Sequence, residues 1–237
     1  MRSNWIPRLA MKAITLAAAA AVGLSAGGAL ANHLTYYTVD FSQLNDSNVA
    51  GNAVLTHDTD LNTLRVEISA LNLEPDMDHM MHIHGTFDSG SPSDATVPTL
   101  AQDTDGDGFI EVLEGVASYG DIILPLGTET APLGVIDYDQ TFDLSDDSLF
   151  FSPVTSTDYT AADLMPLSFR EIVIHGKTVA SGIGAGTDGE VDGTGGYLGL
   201  LPVAAGEIVG PPVPEPATAL LAMGAVAAIA TGRRRVA

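Results

Sequence analysis

A two-residue alternation of apolar and polar side chains sets the fold class of this chain. From Leu64 to Ala70 the run Leu-Arg-Val-Glu-Ile-Ser-Ala places an apolar side chain at every second position. Successive side chains of an extended strand point to opposite faces, so this pattern buries one face and wets the other; a 3.6-residue helix does not fit it. Alternation and β-branched content predict strands over 33–41, 51–57, 64–71, 80–84, 121–126, 141–144, 171–175 and 198–209. Thr59-Asp60-Leu61-Asn62 reads as a hairpin turn, and Gly, Asp and Ser fill the other gaps. The one helix candidate is a short stretch after Gly108, and the Gly-rich, acidic segment 181–197 is expected to be a long loop. Many short strands with polar turns predict an all-β fold, an antiparallel sandwich or barrel.

Composition narrows the chemistry. The 237 residues include no cysteine, which excludes a disulfide scaffold, a thiol nucleophile, an iron–sulfur cluster and any thiolate metal site. The formal net charge is −21, and the basic residues are unevenly placed. Arg2, Arg8 and Lys12 lie at the start and Arg233, Arg234 and Arg235 at the end, leaving only Arg65, Arg170 and Lys177 between. Residues 32–212 therefore hold 29 of the 30 acidic residues and 3 of the 9 basic ones, a net charge of −26. Such a surface argues against nucleic acid or anionic lipid as a partner. A single domain of this size buries a sizeable core without disulfides.

The two ends read as addresses. Residues 1–31 have a positive start, a short apolar run over 14–24 and an Ala29-Leu30-Ala31 cleavage site, the layout of a secretory signal peptide removed by signal peptidase. At the other end, Val213-Pro214-Glu215-Pro216 precedes an apolar run within 217–231 and then three arginines. The run is short for a bilayer span, and the arginines are expected to stay cytoplasmic. This ending resembles the PEP-CTERM sorting signal of Gram-negative bacteria. The resemblance implies recognition by an exosortase and delivery to the cell surface or extracellular polysaccharide matrix, with the tail as a transient inner-membrane anchor.

Histidines form the first candidate site. His82 and His84 are separated by one residue, so in a strand both imidazoles point to one face and can reach one ion. His79 lies just upstream, and His175 ends the apolar run Glu171-Ile172-Val173-Ile174. A fold that pairs these strands would make a three-imidazole site suited to copper or zinc. On spacing alone the same residues also read as ordinary strand histidines.

The stretch His79-Met80-Met81-His82-Ile83-His84-Gly85 resembles the copper-ligand strand of copper/zinc superoxide dismutases, as does its lead-in from Gly51-Asn52-Ala53-Val54 through Leu71-Asn72-Leu73-Glu74-Pro75. Arg170 through Lys177 is similar to the strand bringing another copper ligand. Gly182-Ile183-Gly184, Gly193-Thr194-Gly195-Gly196 and the ending Ala204-Ala205-Gly206-Glu207-Ile208-Val209-Gly210 continue the likeness. Chordin-type (CHRD) domains share a His-Ile-His-Gly strand and are the nearest rival family. The resemblance implies a Greek-key β-barrel, copper on His82, His84 and His175, and His79 as a supporting hydrogen-bond partner. No histidine lies between His84 and His175, so the bridging and zinc histidines have no counterpart and zinc is not expected. Ala205 stands at the family's cysteine position and Pro202 where it has a guiding arginine. Arg170 and Lys177 flank His175, either as a positive patch guiding an anion or as counter-charges for carboxylates.

The second candidate site is Asp103-Thr104-Asp105-Gly106-Asp107-Gly108-Phe109-Ile110-Glu111-Val112-Leu113-Glu114. It matches a twelve-residue EF-hand loop: Asp103, Asp105 and Asp107 at positions 1, 3 and 5, and Gly108 at the sharp turn. The Phe109 carbonyl stands at 7, Glu111 at 9 through water, and Glu114 at 12. Hard oxygen ligands at this spacing suit calcium, while the bland alternative is an acidic turn in an acidic protein. Without a flanking helix pair, the loop reads as a calcium-ordered insertion in the barrel.

Overall fold

In a computed structural model, the structure of residues 33–211 is described. The expected signal peptide over residues 1–31, the Val213-Pro214-Glu215-Pro216 motif and the apolar run after it lie outside the described residues, among which no helix is long and apolar enough to cross a membrane.

Alternation is realised as two antiparallel sheets. The first runs in the order β1 (Leu34–Asp40), β3 (Ala50–Asp58), β4 (Thr63–Leu71), β8 (Val135–Asp143). The second runs β2 (Ser42–Gln43), β12 (Gly196–Glu207), β11 (Arg170–Val179), β5 (Asp78–Asp88), β6 (Ser91–Ser93), with β7 (Asp121–Thr130) also pairing β5. A small β9 (Phe151–Ser152) and β10 (Thr157–Asp158) hairpin stands apart, and two short α-helices, α1 (Val112–Tyr119) and α2 (Ala161–Leu164), with four single-turn 3-10 helices complete the regular structure of the described residues.

In β4, Leu64, Val66, Ile68 and Ala70 are buried. They share one core with Leu55 and Tyr138 of the first sheet and Met81, Ile83, Ile172, Ile174 and Ala204 of the second, so the sheets pack face to face as a sandwich. The β3–β4 hairpin turns where the sequence predicts: Asp58 Oδ1 accepts from the Asp60 and Leu61 N–H groups, and Asn62 takes a positive φ of 53°.

One expectation shifts, and four short strands join those expected. The strand expected over 141–144 begins at Val135, because acidic Asp137 and Asp139 on its wet face hide an alternation that buries Ile136, Tyr138 and Phe142. Arg65 explains the tolerance of that acidic face: it donates twice to Asp139 on β8, at 2.8 and 2.6 Å, and lies 2.7 Å from Glu67. The short strands β2, β6, β9 and β10 carry too few residues for a periodic signal. The helix expected after Gly108 is α1.

The second sheet is covered on both faces at its centre. Every residue from Arg170 to Gly176 is buried. Ile172 and Ile174 face the sandwich core, while Val173 packs outward against Leu44, Ile110, Tyr119 and Ala205. This outer cover comes from the segment between β6 and β7 that contains the acidic loop and α1. It creates the enclosed space where the histidines sit.

Candidate metal centre

Strand pairing assembles the three histidines. β11 and β5 are antiparallel with Val173 opposite His82 and Glu171 opposite His84. Paired residues share a face, and residues 171, 173 and 175 alternate onto that same face, so His175 joins His82 and His84. The ladders are irregular here: β5–β7 shifts register between Met81 and His82 and between Ile83 and His84, and β11–β12 shifts on either side of His175. Bulges re-aim side chains beside sites in this way, and Pro202, which cannot donate to a ladder, stands opposite His175.

One ring nitrogen from each of His82, His84 and His175 lies within 4.8 Å of the other two. The ring centroids are 5.6 Å apart for His82–His84, 5.1 Å for His82–His175 and 6.1 Å for His84–His175. His84 Nδ1 lies 3.0 Å from the Gly120 carbonyl and His175 Nδ1 2.5 Å from the Leu200 carbonyl. A carbonyl only accepts, so both Nδ1 atoms carry hydrogen and each neutral Nε2 keeps its lone pair. Those Nε2 atoms, together with His82 Nδ1, are buried with no hydrogen-bond partner. Burial, reinforced by the neighbouring imidazoles, pushes His82 down to about 2 and His84 to about 3; burial alone pushes His175 to about 4. The rings therefore remain neutral at any pH near physiological, the state that binds a cation.

The supports are local. Gly120 ends α1 with φ 83°, and its amide donates back to Val116. A side chain there would strike the backbone of Gly85, so only glycine brings this carbonyl onto His84. Tyr119 packs edge-on against His84 at 4.7 Å. His79 is fully buried between two carbonyl acceptors, its Nδ1 2.8 Å from the His175 oxygen and its Nε2 3.1 Å from the Glu74 oxygen. Gly176, with φ 113°, lets His79 approach, since a Cβ would come within 2.8 Å of its Nδ1.

The two basic residues expected near this site are placed elsewhere. Arg170 and His175 differ by an odd number of positions, so they point to opposite faces of β11. The Arg170 guanidinium is 1% exposed and donates to the carbonyls of Leu164, Asp163, Ser93, Phe169 and Thr86 at 2.8–3.4 Å. It is structural, and the anion-guidance expectation fails for it. Lys177 donates to the Asp46 carbonyl at 3.0 Å and lines a different, polar cavity beside Ser47, Asn72 and Glu74.

In the acidic loop, Asp103, Asp105 and Glu114 bring one carboxylate oxygen each within 4.8 Å of one another. Asp103 accepts from Gly106 and Gly108 N–H at 2.7 and 2.9 Å, and Asp107 from Phe109 N–H at 2.7 Å. Glu114 accepts from Thr104 N–H at 2.6 Å and from Glu111 N–H at 3.0 Å. Asp105 Oδ2 and Asp107 Oδ2 are buried without partners. Phe109 holds the loop down by packing with Val179, Val191 and Leu201. Glu111 departs from expectation. It is the entry residue of α1, and its Oε1 accepts from the Val191 N–H at 2.6 Å, so the side chain ties this loop to the Gly-rich segment. Burial raises its carboxyl to about 7.

Glu171 is a buried acid on the same face of β11 as His175. It is fully buried, neither oxygen has a partner, and burial beside Glu207 and Asp94 raises its carboxyl to about 8. The only signal in the sequence is a carboxylate one residue before an apolar run in a strand covered on both faces. Folded Glu171 binds its proton up to about 8, whereas an unfolded carboxyl releases it near 4.5, so this group's contribution falls as pH rises through that window. Glu171→Met is expected to stabilise the domain by roughly 2–4 kcal/mol at pH 8 and far less at pH 4.5. Urea unfolding of both proteins at the two pH values checks this.

A scan against protein-family models finds no match, and a search of curated proteins finds none either.

Proposed function

We propose that this chain is an exported metal-binding β-domain whose His82, His84 and His175 hold a single copper ion. The observation that carries the reading is the convergence of three neutral, buried ring nitrogens that lack any protein partner. Leaving three such groups unpaired in a fold is costly, and one ion satisfies all three. Imidazole nitrogen suits copper, and with no cysteine in the chain it is the strongest borderline ligand available. The Nδ1–H donations to Gly120 and Leu200 are the carbonyl supports that metal-ligating histidines use to fix tautomer and orientation.

Bound copper supplies one-electron chemistry, and the superoxide dismutase resemblance, with its Greek-key barrel, makes superoxide the first candidate reactant. The chain's own residues weigh against rapid turnover of that anion. Among the described residues, the cavity above the imidazoles is lined by Asp121 and Glu190 and by no lysine or arginine. A domain of net charge −26 slows the approach of an anion further. That observation favours a second reading, a non-catalytic cell-surface or matrix protein of the chordin-type kind, bound to copper and stabilised by calcium. In both readings signal peptidase and exosortase process the ends, and the mature domain is delivered to the cell surface or extracellular polysaccharide. Titrating the purified chain with copper(II) while recording electron paramagnetic resonance tests the site. A single saturable signal with nitrogen coupling supports it, and only the spectrum of aqueous copper refutes it.

Calcium in the 103–114 loop is the companion proposal, supported by the converging carboxylates of Asp103, Asp105 and Glu114. At calcium about a hundredfold above its Kd, the melting temperature is expected to rise on the order of 5–10 °C over chelator-treated protein. Asp103→Asn should abolish the rise, and equal melting in calcium and chelator would remove the proposal.

A further inference from the structure

The cavity over the three imidazoles has hydrocarbon walls. Val112, Leu113 and Val116 come from α1, Ile122 from β7, Val154 from the β9–β10 turn and Leu200 from β12. Four of these lie open to solvent: Leu113 is 77% exposed, Val154 and Leu200 51%, and Val116 36%. Exposed apolar side chains scattered singly need no explanation, but four gathered round one opening mark a binding surface. Below them sit ring nitrogens of residues that are each more than nine-tenths buried, with lone pairs and no partner.

Size and charge restrict the occupant. The cavity measures about 210 Å³, and an apolar cavity of roughly 150 Å³ already admits benzene. The carboxylates at its edge are engaged in holding the walls. Asp121 accepts from the Ser152, Thr155 and Tyr159 hydroxyls at 2.5–2.8 Å, which fixes the turn that carries Val154. Glu190 accepts from the Val112 N–H at 3.3 Å. An anionic ligand would find repulsion and no cation, whereas a neutral ring finds matching walls. The lone pairs on the floor call for a hydroxyl donor on that ring.

We propose that this cavity binds an uncharged, single-ring aromatic alcohol of the phenol class. The ring lies against Leu113, Val116, Val154 and Leu200, and the hydroxyl is directed at the histidine floor. Capture of the ring rests on the walls alone. Only the further step, in which the hydroxyl meets a bound ion, rests on the copper reading.

Calorimetric titration of the purified full chain with phenol and with benzoate, alongside copper content, tests this. Phenol is expected to bind with a Kd of about 1 mM or tighter in copper-free and copper-loaded protein, with benzoate at least tenfold weaker. Leu113→Asp and Val154→Asp should each weaken phenol at least tenfold while leaving copper per chain unchanged. Benzoate binding as tightly as phenol would overturn the proposal, and so would phenol binding indifferent to both variants. A dimer in sedimentation that Leu113→Asp dissociates would also overturn it, showing the face to be a contact between copies. Phenol binding by a chain that takes up no copper when it is offered would leave this inference standing and remove the metal proposal; copper uptake with no phenol binding would do the reverse.

Discussion

Arg170→Met is expected to destabilise the domain by about 3–5 kcal/mol, seen as a large drop in the urea midpoint. The guanidinium serves five backbone carbonyls, from α2, from the residue just before β11 and from the β5–β6 hairpin. Each carbonyl left buried without a donor costs about 1–3 kcal/mol, with partial relief where water enters. The guanidinium also lies over the Phe87 ring, its central carbon 5.4 Å from the ring centre. Gly85 makes the room, since a side chain there would sit 2.6 Å from an Arg170 nitrogen. Arg170→Lys should recover little of the loss, because one ammonium on a flexible stem does not reach a fork of five acceptors. A surface arginine that merely steered an anion would give a change within about 0.5 kcal/mol for either substitution, and that result would contradict the structural role.

His175→Ala is expected to weaken copper binding by at least about 100-fold with the fold intact. The separation follows from the hydrogen bonds. Truncation removes an unpartnered Nε2, which helps the metal-free fold, and it frees the Leu200 carbonyl, which costs about 1 kcal/mol. The metal-free stability should therefore move by no more than about 2 kcal/mol. Copper affinity from competition with a chelator, measured beside urea unfolding, distinguishes a lost ligand from a lost fold.

Much of this architecture is legible in the sequence, and the illegible parts have physical causes. Alternation locates β4, and the unbroken run Ile172-Val173-Ile174 signals a strand buried on both sides, as β11 is. His82 and His84 share a face by parity alone. The arrival of His175 depends on β5 pairing β11, a contact between residues about ninety positions apart that local periodicity does not encode. The resemblance to a known strand order made that pairing an expectation. Arg170 is near His175 in sequence and not in space, because the five-residue interval puts it on the opposite face of β11. Glu111 fits a loop template at position 9, yet the template carries no information on the Gly-rich segment that captures its carboxylate. The apolar mouth was invisible for a related reason. Leu113, Val116, Val154 and Leu200 come from three separate segments, and each alone looks like an ordinary exposed side chain.

In the proposed metal centre three orphaned imidazoles hold one copper ion. Copper content is measured after the purified full chain is equilibrated with copper(II) and dialysed exhaustively, with His175→Ala treated in parallel. One copper per chain in the wild type and essentially none in the variant is the predicted result. Wild-type protein that emerges with no more copper than His175→Ala would contradict it.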